Sequence, residues 1–421
     1  MNQTYDVIVV GGGPAGAGTA TWLARAGFHI ALLDRARFPR DKACGEFLTP
    51  EACRLMADLG AWDAVCEAGA RPVAATVLVA SDGLQTRHSP PDGSPTGYAL
   101  RRLVLDAVLL ENARQAGVEV REGFAVRELL RDGSGRVLGV MGKEATGEPV
   151  TLRARLIVGA DGSHSLVARQ LRLVRPLPRL QRVALISHWR NVPGPGDTIE
   201  MRARGPIVCG LGFPPPSPCS WGEGRGGGPD TFSANLTLVV PTGLASQIAG
   251  RAGDFLEETL QAHFPDLAAR LAGAKREPVI RTVGCFGHAC CPAVAEGALL
   301  VGDAAAFIDP FTGEGVYFAL RGAQLAAEVA ADALRADDLS RSRLLAYHRA
   351  RRELARRYLL CDVVQAVVRA PALFSQVVRR LDRFPGLADR LLGVLSDTRP
   401  PTDALHPGFL WRLFAPEIAA R

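Results

Sequence analysis

Lysine is scarce in this 421-residue chain: Lys42, Lys143 and Lys275 are the only three among 49 basic residues. The skew toward arginine carries no functional meaning. No uncharged run reaches the roughly 18 apolar residues of a membrane-spanning helix. An apolar strand already runs from Tyr5 to Val10 with no basic n-region or cleavage site ahead of it, so an export leader is not expected. The nine cysteines are odd in number and include no Cys-x-x-Cys pair, which excludes a disulfide framework and a zinc ribbon. Cys290-Cys291 beside His288 cannot easily present two tetrahedral ligands, so no metal site is expected. Free thiols point to the cytosol, and the expected protein is cytoplasmic, soluble or peripheral to a membrane. The 48% hydrophobic content excludes disorder, and the length suits two or three units of about 150 residues.

The formal net charge of +6 is uneven. Residues 335–421 hold 16 arginines against 9 acids, and the remainder is close to neutral. A nucleic-acid role for the whole chain is therefore not expected. The C-terminal region reads as helical, with Arg349, Arg351, Arg352, Arg356 and Arg357 crowded among Leu345, Leu354, Leu359 and Leu360. A basic amphipathic helix can lie on an anionic membrane surface, and a solvated arginine face on a packed helix is the alternative.

The informative segments begin at the N-terminus. Tyr5 to Val10 is a short β-branched run suited to burial on both faces of a parallel sheet. Gly11-Gly12-Gly13-Pro14-Ala15-Gly16 follows, then a helix from Ala17 to Ala26 stopped by Gly27, and a second strand from Phe28 to Asp34. These glycines permit a tight turn, close backbone approach to a pyrophosphate and close helix-to-strand packing, while the helix start supplies free N–H donors. Asp34, eighteen residues after Gly16, is placed to bond a ribose diol, which favours FAD or NAD over NADP.

Later segments favour FAD. Leu156 to Ser163 is a strand entering an Asp161-Gly162 turn, and Ala298 to Ala304 is another ending in Gly302-Asp303. Asp309-Pro310-Phe311-Thr312-Gly313-Glu314-Gly315 then opens a helix. A flavoprotein uses such parts: an acid for the ribityl hydroxyls and a helix N-terminus beside the ring, where charge builds on reduction. These motifs, with Arg102-x-x-Leu105-Asp106 between the first two, resemble the p-hydroxybenzoate hydroxylase superfamily of FAD-dependent oxidoreductases over about residues 4 to 330.

The resemblance implies an α/β fold with a Rossmann-like FAD-binding domain of the GR2 type, a mostly antiparallel β-sheet substrate domain and a helical C-terminal region. It assigns Gly11, Gly13 and Gly16 to the pyrophosphate, Asp34 to the adenosine ribose, and Arg102, or its neighbour Arg101, to the phosphate region, with Pro14, Ala15 and Arg35 also in the cofactor-binding set. Asp161 and Gly162, Gly302 and Asp303, and Pro310, Gly313 and Gly315 complete the cofactor set. Arg37 to Glu46, with Lys42-Ala43-Cys44-Gly45-Glu46, further resembles the geranylgeranyl reductase branch, where a Cys-Gly pair lies near the flavin. That makes Cys44 the candidate catalytic thiol, with Gly45 in the cofactor set and Lys42 able to shift a nearby pKa or hold a carboxylate.

The expected domains are 1–70, 97–175 and 280–334 for FAD, 71–96 and 176–279 for the substrate sheet, and 335–421 for the helices. Cys209-Gly210-Leu211-Gly212-Phe213-Pro214 keeps the Phe-Pro of the reductase pattern but has Cys209 and Leu211 where Tyr and Trp are expected. Cys209, Leu211 and Phe213 are the expected pocket residues, and the missing tryptophans argue against a halogenase. The Pro- and Gly-rich stretch from Pro214 to Pro229 reads as disordered, with a lid as the alternative.

Three functions stay open. One is a reductase of C=C bonds in a hydrophobic isoprenoid, quinone or polyketide-like substrate. Another is a monooxygenase using NAD(P)H and O2, and the third is a non-catalytic lipid-binding escort. No second Gly-x-Gly-x-x-Gly unit is present, so NAD(P)H is expected as a transient reductant or a separate protein as electron donor.

Overall fold

The computed structural model describes residues 4–144, 147–215, 231–308, 313–395 and 398–414. Its first sheet runs in the spatial order Val294–Ala295, Ala298–Leu300, Pro149–Gly159, Thr4–Val10, Ile30–Asp34 and Glu119–Glu122. The strands from Ala298–Leu300 through Glu119–Glu122 pair in parallel. Val7, Ile8 and Val9 have no exposure, as a strand covered on both faces requires. Each such side chain contributes about 1.5–3 kcal/mol by leaving water. The hairpin Ala125–Arg131 and Val137–Lys143 adds to this sheet, turning where the Asp132 carboxylate accepts the N–H groups of Ser134 and Arg136. Helices Pro14–Arg25 and Gly315–Arg335 pack together over the central strands.

The second sheet forms a roof, with Lys275–Arg276, Arg182–Pro193, Thr231–Pro241, Ile207–Gly212, Thr198–Arg204, Ala75–Val79 and Gln85–His88 in order. It is antiparallel except where Thr198–Arg204 meets Ala75–Val79. Arg281–Phe286 also hydrogen-bonds to Arg182–Pro193. The roof therefore takes one strand more than the expected boundary at residue 280 allowed, because pairing to a long neighbour satisfies backbone groups that an apolar pattern alone does not locate.

The C-terminal region forms the helices Arg341–Ala350, Arg352–Val368, Pro371–Arg383, Pro385–Leu395, Thr402–Leu405 and Pro407–Phe414. Their apolar sides pack against one face of the roof, where Leu360, Val368, Phe374, Val378, Leu381 and Phe409 join Leu78, Ile186 and Val208 in a shared core. The expected single basic face is not formed. Arg349, Arg352 and Arg356 are exposed, but Arg357 is buried against Glu314 and Arg351 lies over the Tyr347 ring. Among the described residues no single helix is long and apolar enough to cross a membrane. Most of the Pro214–Pro229 stretch lies outside the described residues.

Candidate functional site

The glycine turn after the first strand is sterically closed to other residues. Gly11 has φ +109°, and a Cβ on Gly16 would overlap the Gly11 carbonyl oxygen. Helix Pro14–Arg25 starts with no side-chain cap, so its first N–H groups are free for an anion. A Cβ on Gly13 would lie 3.6 Å from the Arg40 guanidinium and 3.9 Å from that of Arg102. Both cations are held by the fully buried Asp106: Arg102 donates to it at 2.7 and 2.9 Å and Arg40 at 2.7 Å. Burial by itself would lower the Arg102 pKa, but the Asp106 carboxylate, with Cys44 beside it, overrides burial and raises it. Arg101 instead faces Glu277 at 3.4 Å, which decides between the two neighbouring arginines.

Asp34 ends the second strand with its carboxylate accepting the Gly12 N–H at 2.7 Å and the Ala36 N–H at 2.8 Å. Arg35, also in the expected cofactor set, is exposed, because alternation along the chain turns it outward from the buried Asp34. Asp161 also departs from expectation. Its carboxylate accepts from the Ser165 hydroxyl at 2.5 Å and the Leu166 N–H at 2.7 Å, at the start of helix Leu166–Gln170. Burial raises its pKa against the pull of these donors. It is Gly162 that lines the cleft.

At the other end, Gly302 has φ +57°, and a Cβ there would stand 2.7 Å from that of Ala15, so the turn Gly302–Ala304 closes tightly on the first helix. Asp303 lines the cleft, its Oδ2 3.2 Å from Lys42 Nζ, and its backbone oxygen lies 2.9 Å from His288 Nε2. Burial lowers the His288 pKa. Gly313 and Gly315 line the same cleft, and helix Gly315–Arg335 also begins without a side-chain cap. Pro310, with Asp309, Phe311 and Thr312, lies outside the described residues. Among the described residues no three His, Cys, Asp or Glu side chains gather as a metal would require.

The roof sheet faces this cleft through alternate residues. Register places Met201 beside Gly210 and Thr237, and Ile199 beside Gly212 and Asn235, all lining the cleft. Cys209 and Phe213 point to the opposite face, into a core under helices Ala252–His263 and Pro265–Leu271. Leu211 belongs to that same core while also touching the cleft wall. The expected Cys209 and Phe213 pocket residues are thus corrected by one step of strand register: the pleat has period two, and Gly210 and Gly212 occupy the cleft side. Burial pushes the Cys209 thiol up to about 12.

Cys44 is half-buried in the cleft, with its Sγ accepting the Glu46 N–H at 3.3 Å. The exposed Gly45 follows it, its Cα facing Thr237. Glu46, Asn235, Tyr358 and Cys361 of the cleft, and Arg40 and Asp106 behind its phosphate end, carried no advance assignment. The signal for Asp106 was its i,i+4 spacing from Arg102. Tyr358 and Cys361 come from a helix distant in sequence and carried no signal.

The cleft encloses about 1460 Å3 including its mouth. A second, strongly apolar pocket adjoins it, of about 1040 Å3 when the open space at its mouth is included, and both are walled by Phe47, Ile199, Met201 and Gly313. The second pocket runs between the roof and the C-terminal helices, past Leu78, Val364, Val367, Phe374, Leu391 and Phe409.

These residues fit FAD. The glycine cradle and the two guanidinium groups suit a diphosphate, Asp303 suits ribityl hydroxyls, and two uncapped helix starts suit the anionic parts. A family model described as an FAD binding domain matches residues 4–360. The chain is 33% identical over 334 residues to a tryptophan 2-halogenase of Chondromyces crocatus, covering 78% of this chain but only 61% of the halogenase. It is 30% identical over 416 residues to digeranylgeranylglycerophospholipid reductase 1 of Methanopyrus kandleri, covering 93% and 98%. The solved myxobacterial chondrochloren halogenase CndH superposes with a TM-score of 0.74 at 27% identity, covering 85% of this chain and 82% of that one. The chain belongs to the FAD-binding-domain family of flavin-dependent enzymes, within the p-hydroxybenzoate hydroxylase superfamily.

Proposed function

We propose that this FAD-dependent enzyme reduces a C=C bond of an extended hydrophobic substrate, with NAD(P)H or a separate protein as the electron source. The carrying observation is the apolar pocket under the C-terminal helices, which shares a wall with the cofactor cleft at Phe47, Ile199, Met201 and Gly313. A long hydrocarbon chain would lie in that pocket while its reacting end enters the cleft. The relative from Methanopyrus kandleri, a reductase by name, covers nearly the whole chain and supports this reading.

Bound FAD supplies the hydride equivalent. Cys44 places its Sγ on the cleft side as the proposed proton donor, where the Glu46 N–H fixes the sulfur and the Arg102 guanidinium lies beside it. The apolar lining excludes water from the reacting carbon. Asp303 and Lys42 form a half-exposed ion pair that orients the carboxylate toward the cleft. A peripheral contact of the C-terminal helices with a lipid surface would rest on their exposed Leu359, Phe384 and Trp411, since their arginines form no single basic face.

The test is anaerobic turnover of long-chain prenyl alcohols and prenylated quinones with NAD(P)H or dithionite, read by mass spectrometry. A gain of two hydrogens per reduced bond is expected, with a fall in rate for Cys44→Ala. A second reading, oxygen-dependent chemistry at the same cleft, is favoured by the 33% identity to the halogenase. It is supported instead if product forms only with O2, carrying an added oxygen or, with halide present, a halogen.

A further inference from the structure

Glu46 is held in a way that its neighbours are not. It is the buried residue after Cys44-Gly45, and its backbone sits at φ +60°, a conformation side-chain-bearing residues rarely adopt. Such a conformation persists where surrounding contacts over-determine it. Four contacts do so here. Its N–H donates to Cys44 Sγ at 3.3 Å, and its carbonyl accepts the Leu100 N–H at 3.1 Å. Its Oε1 accepts the Arg102 N–H at 3.3 Å, and its Oε2 lies 2.9 Å from His188 Nε2.

His188 stands on the roof strand Arg182–Pro193, while Arg102 opens the helix Arg102–Gln115 beneath the cofactor cleft. From the next roof strand, Asn235 Nδ2 donates to the Cys44 carbonyl at 2.9 Å, and Asn235 Oδ1 accepts the Thr237 hydroxyl at 3.1 Å. Two roof side chains thus reach the two ends of Cys44-Gly45-Glu46, one through a side chain and one through the main chain. The Glu46 carboxylate and the His188 ring are both buried, so neither bond is exchanged for water without cost.

We propose that His188, through Glu46, is a positioning residue that fixes the Cys44 thiol against the cleft and couples its orientation to the roof sheet. Asn235 supplies the second anchor. The catalytic consequence rests on the reductase reading above; the geometric one does not.

The experiment uses the FAD-loaded full chain with His188→Leu, His188→Gln and Asn235→Ala. One readout is the rate of Cys44 alkylation by iodoacetamide, located by peptide mass spectrometry, which needs no substrate. The other is kcat against KM in anaerobic turnover. His188→Leu is expected to raise Cys44 alkylation by about fivefold, the factor for one lost hydrogen bond. It should lower kcat with KM changed less than about twofold. His188→Gln, which keeps an N–H donor, is expected to restore both toward the parent. Asn235→Ala, which removes the bond to the Cys44 carbonyl together with the contacts to His188 Nε2 at 3.3 Å and to the Thr237 hydroxyl, tests the same fixation should His188→Leu fail to retain FAD. Parent-like alkylation in a flavin-loaded His188→Leu or Asn235→Ala protein overturns the proposal, as does His188→Gln behaving like His188→Leu. If the parent reduces no C=C bond while alkylation responds as stated, the reductase reading falls and the positioning inference stands.

Discussion

Substituting Asp106 by Asn tests the phosphate end of the cleft. Asp106 has no exposed side-chain surface and accepts three charge-assisted hydrogen bonds, two from Arg102 and one from Arg40. Each is worth about 1.5–3 kcal/mol. Asparagine is close in shape but offers one carbonyl oxygen, and its amide would turn N–H groups toward a guanidinium. Two cations then compete for one acceptor. Arg40, with 19% of its side chain exposed against 6% for Arg102, is the one expected to swing into water. Loss of one of the two guanidinium groups facing Gly13 should weaken FAD binding by about 2 kcal/mol, or roughly thirtyfold in Kd. The assay is fluorescence titration of apoprotein with FAD at physiological ionic strength, with Arg101→Gln as a control expected to stay within about twofold of the parent. A parent-like or tighter Kd for Asp106→Asn would refute the claim that this carboxylate organises the phosphate site.

Three further outcomes are expected. Gly210→Phe projects a ring into the cleft, where among the described residues only the Glu200 carbonyl oxygen, at 4.0 Å, stands near the new Cβ. It should abolish substrate turnover while FAD absorbance is retained; unchanged turnover would show that substrate does not pass under this strand. Cys44 should alkylate in the native protein at pH 8 while Cys209 does not, because burial in the opposite core pushes the latter's thiol up to about 12. Equal labelling would contradict the register. His288, lowered by burial, resists protonation when folded, so below its ordinary value of 6.5 the unfolded chain takes up the proton first. Its contribution to stability is present above 6.5 and lost as pH falls through that value toward the folded one. Exchange to Gln should narrow the Tm difference between pH 7.5 and 5.5 by about 1–2 °C, and an unaltered difference would exclude His288 as a contributor.

The cofactor half was legible because its constraints are local. Gly11 and Gly16 are forced by a turn within a few residues, the first two strands carry their own burial pattern, and Gly302-Asp303 follows directly from a buried strand. Short-range sterics and strand periodicity write themselves into adjacent positions, which is why the flavin fold and the approximate roof strands could be read in advance. Asp161 misled because an acid after a strand suits both a ligand and a helix cap, and its local N–H donors were nearer.

The cleft's chemistry was written elsewhere. Which alternate residues of Ile207–Gly212 face the cofactor depends on how Thr198–Arg204 and Thr231–Pro241 flank it, and a one-residue shift inverts the answer for Cys209 and Gly210. The inward turn of Arg357 toward Glu314 brings together residues 43 positions apart, and the Glu46–His188 bond spans 142. The linear chain therefore specified a flavin-binding framework and its phosphate turn, since these follow from neighbours. The apolar pocket, the orientation of the roof and the anchoring of Cys44 arose only on folding, because each depends on packing between segments that no local pattern connects.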